Sequence, residues 1–219
     1  MNSLFNESFG KICYIIGACP CEDIEINKNA SHLIICADGG LKHLEKKGIV
    51  PHVIMGDFDS LGYVPKGENI FVFPSEKDDS DVCMAIKYGF EKGYKSFVIY
   101  GGFGGRFDHT FGNIQLLSYI AERGGRGWIF GDKTAITAIK DGEISVSGKG
   151  YISVFSLSEK CFGVTIKNLK YTLENAELTN TFPLGLSNEF LPNETSAFLR
   201  VEKGTLLLII NDASSLKIL

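Results

Sequence analysis

The sequence feature that most limits the fold is an alternation of short, β-branched apolar runs with helix-length amphipathic segments, which ends near residue 133. Short apolar runs between turn residues predict buried strands, whereas apolar residues at helical spacing predict helices. The predicted strands cover residues 12–16, 33–36, 53–55, 70–73, 97–100 and 128–130, and the predicted helices cover 41–47, 82–90 and 107–120. Since repeated strand–helix–strand units build mainly parallel sheets, we expect an α/β domain over residues 1–133.

The remainder of the chain, residues 134–219, has only β-type patterning. Short β-rich segments are separated by Asp-Gly, Gly-Lys-Gly and Lys-Gly turns, at 143–147, 151–157, 161–166, 196–201 and 205–210. This pattern predicts a small antiparallel β-sandwich of ordinary domain size. The expected fold class is therefore α/β, with a Rossmann-like, mainly parallel N-terminal sheet flanked by helices and a C-terminal antiparallel β-sandwich.

Charge and cysteine usage narrow the class of function. The formal net charge of -4, without a stripe of Lys and Arg, argues against nucleic acid and anionic membrane surfaces as partners. The apolar runs are also too short to span a bilayer. Cys19-Pro20-Cys21 has no second Cys/His pair at a zinc-like spacing, so the six scattered cysteines indicate reduced thiols. We expect a cytoplasmic protein with neither a nucleic-acid nor a membrane partner.

Two aspartates flank Phe58 directly after the predicted strand 53–55. In an extended loop, Asp57 and Asp59 point the same way, so both carboxylates can face one cation. Magnesium prefers oxygen ligands and often joins one or two carboxylates to substrate phosphates. The alternative is an Asx turn, in which each aspartate bonds to nearby backbone.

Asp38 follows the predicted strand 33–36 and precedes Gly39, Gly40 and a helix. Glycines at this place suit close approach of a ligand to the backbone. The alternative is that Asp38 caps the helix, and both interpretations are compatible.

A third acidic motif, Lys77-Asp78-Asp79-Ser80-Asp81, opens the predicted helix 82–90. A helix cap explains Asp78 or Ser80, but three carboxylates exceed what a cap requires. Asp78 and Asp81 have a helical spacing that lets both face one loop. Opposite the two aspartates of the preceding loop, they would repel one another unless a cation joined them.

The segment 101–109 contains four glycines followed by Arg106, Asp108 and His109, between a predicted strand and a predicted helix. Backbone amides of a Gly-rich turn and of a helix start form an anion site, and Arg106 adds a planar fork for phosphate oxygens. The motif is neither a P-loop nor a dinucleotide fingerprint. His109 is interpreted either as a general base or as a structural hydrogen-bonding group.

Two more motifs lie in the β-rich part, Leu-Lys-Tyr at 169–171 and Leu-Ser-Asn-Glu at 186–189. Together with the motifs at 37–40, 56–60, 77–81 and 104–109, they occur in the order seen in thiamine pyrophosphokinases. The chain thus resembles that family from about residue 11 to residue 210.

The resemblance implies an enzyme in which the hydroxyethyl oxygen of thiamine attacks the β-phosphorus of ATP, giving thiamine diphosphate and AMP. It implies Mg²⁺ as the cofactor and ATP and thiamine as substrates. It also implies a catalytic, ATP-binding domain at 1–133 and a thiamine-binding domain at 134–219. The expected assembly is a homodimer with active sites at the subunit interface, between the catalytic domain of one subunit and the β domain of the other.

The resemblance also implies roles for individual residues. The metal ligands are expected to be Asp57, Asp59 and Asp81, and the catalytic set adds Arg106 and Asp108 to these. The ATP- and phosphate-binding set is expected to be Asp38, Gly39, Gly40, Asp78, Gly102, Gly104, Gly105 and Arg106. The thiamine-binding set is expected to be Asp81, Tyr171, Ser187 and Asn188, with the ring of Tyr171 covering the heterocycle. Either Asp81 or Asp108 accepts the proton of the attacking hydroxyl.

Three positions depart from the family pattern: Ser80 replaces the common Thr, Asn168 a common Gly, and Thr172 a common Pro. The phosphate-side motifs are therefore closer to the pattern than the thiamine-side motifs. Three other functions stay open at this point. They are diphosphate transfer to another small alcohol such as a hydroxymethylpterin, a phosphatase or sugar transferase using Asp-x-Asp, and a non-catalytic sensor of thiamine or nucleotide.

Overall fold

The structure is a computed structural model that describes residues 9–27, 29–59, 61–67, 69–74, 76, 78–131, 133–192 and 196–219. The motif residues Ser60 and Lys77 lie outside these described residues. The described chain divides into two compact units. One contains residues 10–116 and 129–131, and the other contains residues 117–128 and 133–219.

The first unit is built on parallel strands with helices between them. The strands are β1 (Ile12–Ile16), β2 (Leu33–Ala37), β3 (Val53–Gly56), β4 (Ile70–Val72) and β5 (Ser96–Tyr100), and they lie side by side in the order β5-β1-β2-β3-β4. The helices α1 (Leu41–Lys46) and α2 (Asp81–Glu91) belong to this unit, whereas α3 (Phe107–Glu122) and β6 (Arg126–Gly131) each have residues in both units. All residues of β1 are buried, as expected for a parallel strand covered on both faces.

Helix α2 packs tightly against the sheet because it has a glycine on its buried face. Ser80 caps the helix by accepting a hydrogen bond from the backbone N–H of Cys83. A Cβ at Gly89 would lie only 2.6 Å from the Phe97 ring of β5 and 3.1 Å from the Cys13 sulfur of β1. Gly89 therefore allows a helix–sheet approach that a larger residue would prevent.

The second unit contains two groups of antiparallel strands. Its strands are β7 (Thr134–Lys140), β8 (Glu143–Ser147), β9 (Tyr151–Ser156), β10 (Lys160–Lys167), β11 (Leu173–Thr179), β12 (Gly185–Glu189), β13 (Ala197–Arg200), β14 (Thr205–Ile210) and β15 (Lys217–Ile218). One group has the order β12-β9-β14-β7, and the other is a separate sheet with the order β11-β10-β13-β8-β15. Leu206, Leu208 and Ile210 on β14 are fully buried and form part of the core.

The predicted fold class is confirmed: the molecule has a large, mainly parallel sheet, few helices and a separate antiparallel sheet. Four strands were not among the predicted segments, namely β7, β11, β12 and β15. No helix within the described ranges has the length and apolar character needed to cross a membrane.

Candidate active site

Asp38 lies where β2 ends, in a short 3-10 turn, Asp38–Gly40. Its backbone has φ = 46°, a left-handed conformation that is uncommon for residues other than glycine and is found preferentially at functional sites. A Cβ at Gly40 would overlap the carbonyl oxygen of Ile16 at the end of β1. A glycine is therefore required at position 40 for a structural reason, because it lets this turn pack against the neighbouring strand.

Asp57 follows β3, the parallel neighbour of β2, so Asp38 and Asp57 emerge at the same edge of the sheet. Its Oδ1 accepts a hydrogen bond from the backbone N–H of Asp59 at 3.1 Å, the contact expected of the alternative interpretation, an Asx turn. Between them, Phe58 is buried and left-handed, with φ = 62°. The loop is therefore not extended, and Asp59 is exposed while Asp57 is half-buried.

Asp81 is the first residue of α2 and is half-buried. The rest of this acidic motif has other contacts. Ser80 is the helix cap, and Asp78 is exposed. Asp79 accepts hydrogen bonds from the Lys87 ammonium at 2.5 Å and from the Cys83 thiol at 3.4 Å, and these hydrogen bonds lower the pKa of Asp79. The carboxylate of Asp79 is thus hydrogen-bonded to two side chains of α2.

The three carboxylates of Asp38, Asp57 and Asp81 converge. One oxygen from each lies within 4.8 Å of an oxygen from both others. Two like charges at this separation repel by roughly 3 kcal/mol at an effective dielectric constant of about 20. Oxygen ligands from several carboxylates are what a hard divalent cation such as Mg²⁺ binds, so the donor set fits such an ion. Asp59 does not belong to this group in the described structure, whereas Asp38 does.

The glycine-rich loop 101–106 follows β5 and is braced from the side of α3. The side-chain amide of Asn113 donates to the carbonyl oxygen of Gly102 at 2.7 Å, and Asn113 is buried. The backbone N–H of Gly104 donates to the Thr110 hydroxyl at 3.2 Å. Gly104 and Gly105 have φ = 96° and 67°, where a side chain would be strained. The loop therefore has a defined conformation at the same sheet edge as the carboxylates.

Arg106 and Asp108 form a two-pronged ion pair at the start of α3. The Nε of Arg106 lies 3.2 Å from Oδ1 of Asp108, and a terminal nitrogen lies 2.6 Å from Oδ2. Both side chains are exposed. The pair raises the pKa of Arg106 and lowers the pKa of Asp108, chiefly through the hydrogen bonds between them. His109 is also exposed, and its backbone N–H donates to Oδ1 of Asp108 at 3.0 Å.

In the second unit, Asn188 holds the backbone of Tyr171. Its Oδ1 accepts from the N–H of Tyr171 at 2.9 Å, and its amide nitrogen donates to the carbonyl oxygen of Tyr171 at 2.6 Å. Asn188 is 4% exposed, whereas Tyr171 is 59% exposed. The same Oδ1 also accepts from the N–H of Glu189, so the Asn188 side chain is engaged by protein groups. Its contacts indicate that it positions the Tyr171 ring.

Ser187 lies on an irregularity in the pairing of β12 with β9, with φ = 58°. Its backbone N–H donates to the Ser153 hydroxyl at 3.0 Å, and its side chain is exposed. Bulges of this kind re-aim side chains next to functional sites. Tyr171 and Ser187 are thus two exposed side chains, and buried Asn188 bonds to the backbone of Tyr171 and follows Ser187 in the chain.

Several residues at these sites had no predicted role. Thr110 and Asn113 brace the glycine loop, and the signal for them is their position one turn inside the helix that the loop opens. Cys19 contacts the same loop through its side chain. Asp38 was predicted on the phosphate side, and the adjacency of β2 and β3 is the signal that could have placed it beside Asp57.

Comparison with known proteins identifies both parts of the chain. Residues 25–126 match the model of the thiamin pyrophosphokinase catalytic domain, and residues 139–206 match the vitamin B1 binding domain of thiamin pyrophosphokinase. Thiamine pyrophosphokinase of Bacillus subtilis is 32% identical over 187 residues, which cover 81% of this chain and 86% of that protein.

Solved structures agree with this assignment. The crystal structure of thiamine pyrophosphokinase from Bacillus subtilis superposes with a TM-score of 0.77 at 28% identity, covering 91% of this chain and 97% of that one. Thiamin pyrophosphokinase from Geobacillus thermodenitrificans gives a TM-score of 0.76 at 26% identity, with 90% and 96% of the two chains covered. The chain belongs to the thiamin pyrophosphokinase family.

Proposed function

We propose that this chain transfers the diphosphate group of ATP to the hydroxyethyl oxygen of thiamine, with Mg²⁺ held by the carboxylates at the carboxyl edge of its parallel sheet. Family membership supports the reaction class, a transferase acting on ATP and thiamine. The convergence of Asp38, Asp57 and Asp81 within 4.8 Å is the observation that carries the metal assignment. Asp59, two residues from Asp57 and exposed, stays in the proposed ligand set because a bound cation would attract it.

The proposed role of the first unit is to position and neutralise the polyphosphate. When bound, Mg²⁺ would neutralise charge on the phosphate oxygens and align them with the acceptor. The guanidinium of Arg106 would exchange Asp108 for phosphate oxygens, since both anions suit the same planar fork. Diphosphate transfer of this kind depends mainly on positioning and charge stabilisation.

The remaining phosphate-side residues extend this proposal. The turn with Gly39 and Gly40 and the loop with Gly102, Gly104 and Gly105 would place backbone close to ATP, and Asp78, which is exposed just before α2, belongs to the same proposed set. Asp81 and Asp108 are the two proposed acceptors of the hydroxyl proton. Release of Arg106 from Asp108 would remove the cause of the low pKa of Asp108, and the carboxylate would then be a stronger base.

The proposed thiamine-side surface is formed by Tyr171 and Ser187, with Asn188 supporting Tyr171. An exposed aromatic ring suits a positively charged heterocycle, because the ring face attracts cations by about 1 kcal/mol. In this proposal, residues 1–133 form the catalytic domain and residues 134–219 form the thiamine-binding domain.

We further propose a cytoplasmic homodimer with active sites at the subunit interface. All six cysteines lie in the described part of the chain, and none is in a disulfide, as is usual in a reducing compartment. Exposed apolar side chains at Phe107 and Phe111 on α3, and at Tyr171 and Leu186 in the second unit, support burial by a second copy. Sedimentation at several protein concentrations tests the dimer, and a monomer at all of them contradicts it.

Product analysis tests the proposed reaction. Purified protein is incubated with ATP, Mg²⁺ and thiamine, and we expect AMP and thiamine diphosphate in equal amounts. The matched control is Asp57→Asn under the same conditions, for which we expect neither product. AMP formed only with a hydroxymethylpterin would overturn the acceptor, and ADP or inorganic phosphate would overturn diphosphate transfer. Binding of thiamine without turnover would identify a sensor.

A further inference from the structure

The loop after β1 runs alongside the glycine-rich loop after β5. The backbone N–H of Gly17 donates to the carbonyl oxygen of Tyr100 at 2.8 Å, and that of Cys19 donates to the carbonyl oxygen of Gly101 at 3.0 Å. A Cβ at Gly101 would overlap the carbonyl oxygen of Gly17 and lie 2.9 Å from that of Cys19. The two loops are therefore in direct backbone contact where the glycine loop begins.

The side chain of Cys19 extends this contact to the middle of the glycine loop. Its thiol donates to the carbonyl oxygen of Gly104 at 3.0 Å. A Cβ built on Gly105 would lie 3.7 Å from the Cys19 sulfur, so the sulfur also packs against Gly105. Cys19 thus engages the loop twice, with its backbone at Gly101 and with its side chain at Gly104.

Gly104 is held by two side chains. Its carbonyl oxygen accepts from the Cys19 thiol at 3.0 Å and from the Thr110 hydroxyl at the longer distance of 3.5 Å, and its N–H donates to the Thr110 hydroxyl. Gly104, at φ = 96°, loses much conformational freedom when its backbone is fixed. Contacts that already hold it in the unbound protein therefore reduce the conformational entropy that is lost when a ligand binds. Thr110 and Asn113 brace the loop from the helix, and Cys19 braces it from the loop after β1.

We propose that Cys19 is a positioning residue for ATP, acting by fixing the conformation of loop 101–106 before the phosphates bind. The proposal rests on the proposed phosphate role of this loop. In this role the Cys19 thiol is a hydrogen-bond donor. Burial raises the pKa of Cys19, so the sulfur keeps its proton at neutral pH. A pre-organised loop binds its ligand more tightly because less ordering is left to the binding step.

Steady-state kinetics of Cys19→Ala and Cys19→Ser test the proposal. Alanine removes both the donor and the packing, and we expect the KM for ATP to rise about three- to tenfold, as for loss of one hydrogen bond and its packing. The KM for thiamine should stay within about twofold, because Cys19 acts only on the phosphate loop. Serine retains a donor and should restore most of the ATP affinity. An unchanged KM for ATP in Cys19→Ala overturns the proposal.

Gly105→Ala separates this inference from the proposed function. It strains the same loop at φ = 67° and leaves the Cys19 thiol itself unchanged, since the added Cβ would lie 3.7 Å from the sulfur, an ordinary van der Waals contact. If Gly105→Ala raises the KM for ATP and Cys19→Ala does not, the phosphate role stands and the role of Cys19 falls. If neither variant changes it, the phosphate role of the loop falls as well.

Alkylation of the wild-type protein gives a second measurement that needs no variant to fold. Iodoacetamide labelling of Cys19, followed by peptide mass spectrometry, is compared with and without Mg²⁺ and ATP. We expect the nucleotide to slow labelling at Cys19 severalfold, because it stabilises the loop that covers the sulfur. Equal labelling rates at saturating ATP would contradict the proposed coupling.

Discussion

Arg106 directs its guanidinium at the carboxylate of its near neighbour Asp108, with nitrogen–oxygen distances of 3.2 Å and 2.6 Å. Both side chains remain exposed, and exposed ion pairs contribute little to stability. The pair is therefore better explained as one that holds the planar guanidinium of Arg106 beside the glycine loop, in a position suited to binding an anion. In the proposed function, a polyphosphate would offer the fork more charge than one carboxylate and would compete with Asp108 for it.

The first prediction concerns the geometry of this fork. Arg106→Lys keeps the charge but cannot make two parallel hydrogen bonds, so we expect the KM for ATP to rise about tenfold or more. The KM for thiamine should change little. Arg123→Lys, at the end of the same helix and outside the proposed site, is the matched control and should behave as wild type. A KM for ATP in Arg106→Lys equal to that of the wild type would show that Arg106 acts through its charge alone.

The second prediction concerns the three converging carboxylates. Asp57→Asn and Asp81→Asn each remove one charge from a cluster whose members repel one another, so the free energy of unfolding in EDTA should stay equal or rise. Turnover should fall at least about a hundredfold, because the metal loses a ligand. Chemical denaturation and product formation measure the two effects separately.

Metal titration completes this test. Adding Mg²⁺ with ATP should raise the Tm of the wild-type protein and raise that of either variant much less, since binding stabilises the folded state by mass action. Asp79→Asn is the control, because Asp79 pairs with Lys87 and Cys83. It should lower stability while leaving the Mg²⁺-dependent gain in Tm. A normal gain in Asp57→Asn would remove Asp57 from the ligand set.

The sequence predicted the sheet edge and the residues on it better than it predicted their geometry. Apolar runs and helical spacing are local signals, and they identified β1 to β6 and the three helices. Strands β11 and β12 were missed because most of their residues are polar, so they carry no regular alternation of apolar residues.

The arrangement of the carboxylates was not fully predictable for a different reason. The expectation that Asp57 and Asp59 face one cation assumed an extended loop, but Phe58 turns left-handed to bury its ring. Burial of the Phe58 ring depends on tertiary packing, which no local sequence pattern indicates. Similarly, the contact of Cys19 with Gly104 joins residues 85 positions apart, which only the adjacency of β1 and β5 creates.

The third prediction concerns Asn188 as a support for Tyr171. Asn188→Ala leaves the backbone N–H and carbonyl oxygen of Tyr171 without their partner in two partly buried hydrogen bonds, so stability should fall by about 1–3 kcal/mol. We expect the KM for thiamine to rise severalfold while the KM for ATP is unchanged. Glu189→Gln, which neutralises the ion pair between Glu189 at the end of β12 and Lys170, is the control. A change in ATP affinity would contradict a thiamine-side role for Asn188.

The fourth prediction concerns the pH dependence of stability at His32. Nδ1 of His32 accepts a hydrogen bond from the backbone N–H of Ile12 at 2.9 Å, which requires an unprotonated nitrogen, and burial lowers the pKa of His32. The unfolded chain binds a proton at this histidine below about pH 6.5. The stabilisation is therefore fully present above that pH and is lost as the pH falls through the lower folded-state pKa. The variant His32→Gln can accept the same hydrogen bond without titrating. In urea unfolding experiments, the wild type should lose more stability than this variant between about pH 7.5 and 5. Parallel curves for the wild type and His32→Gln would exclude His32 as the titrating group. The control is His109→Asn, which replaces an exposed histidine and should follow the wild type.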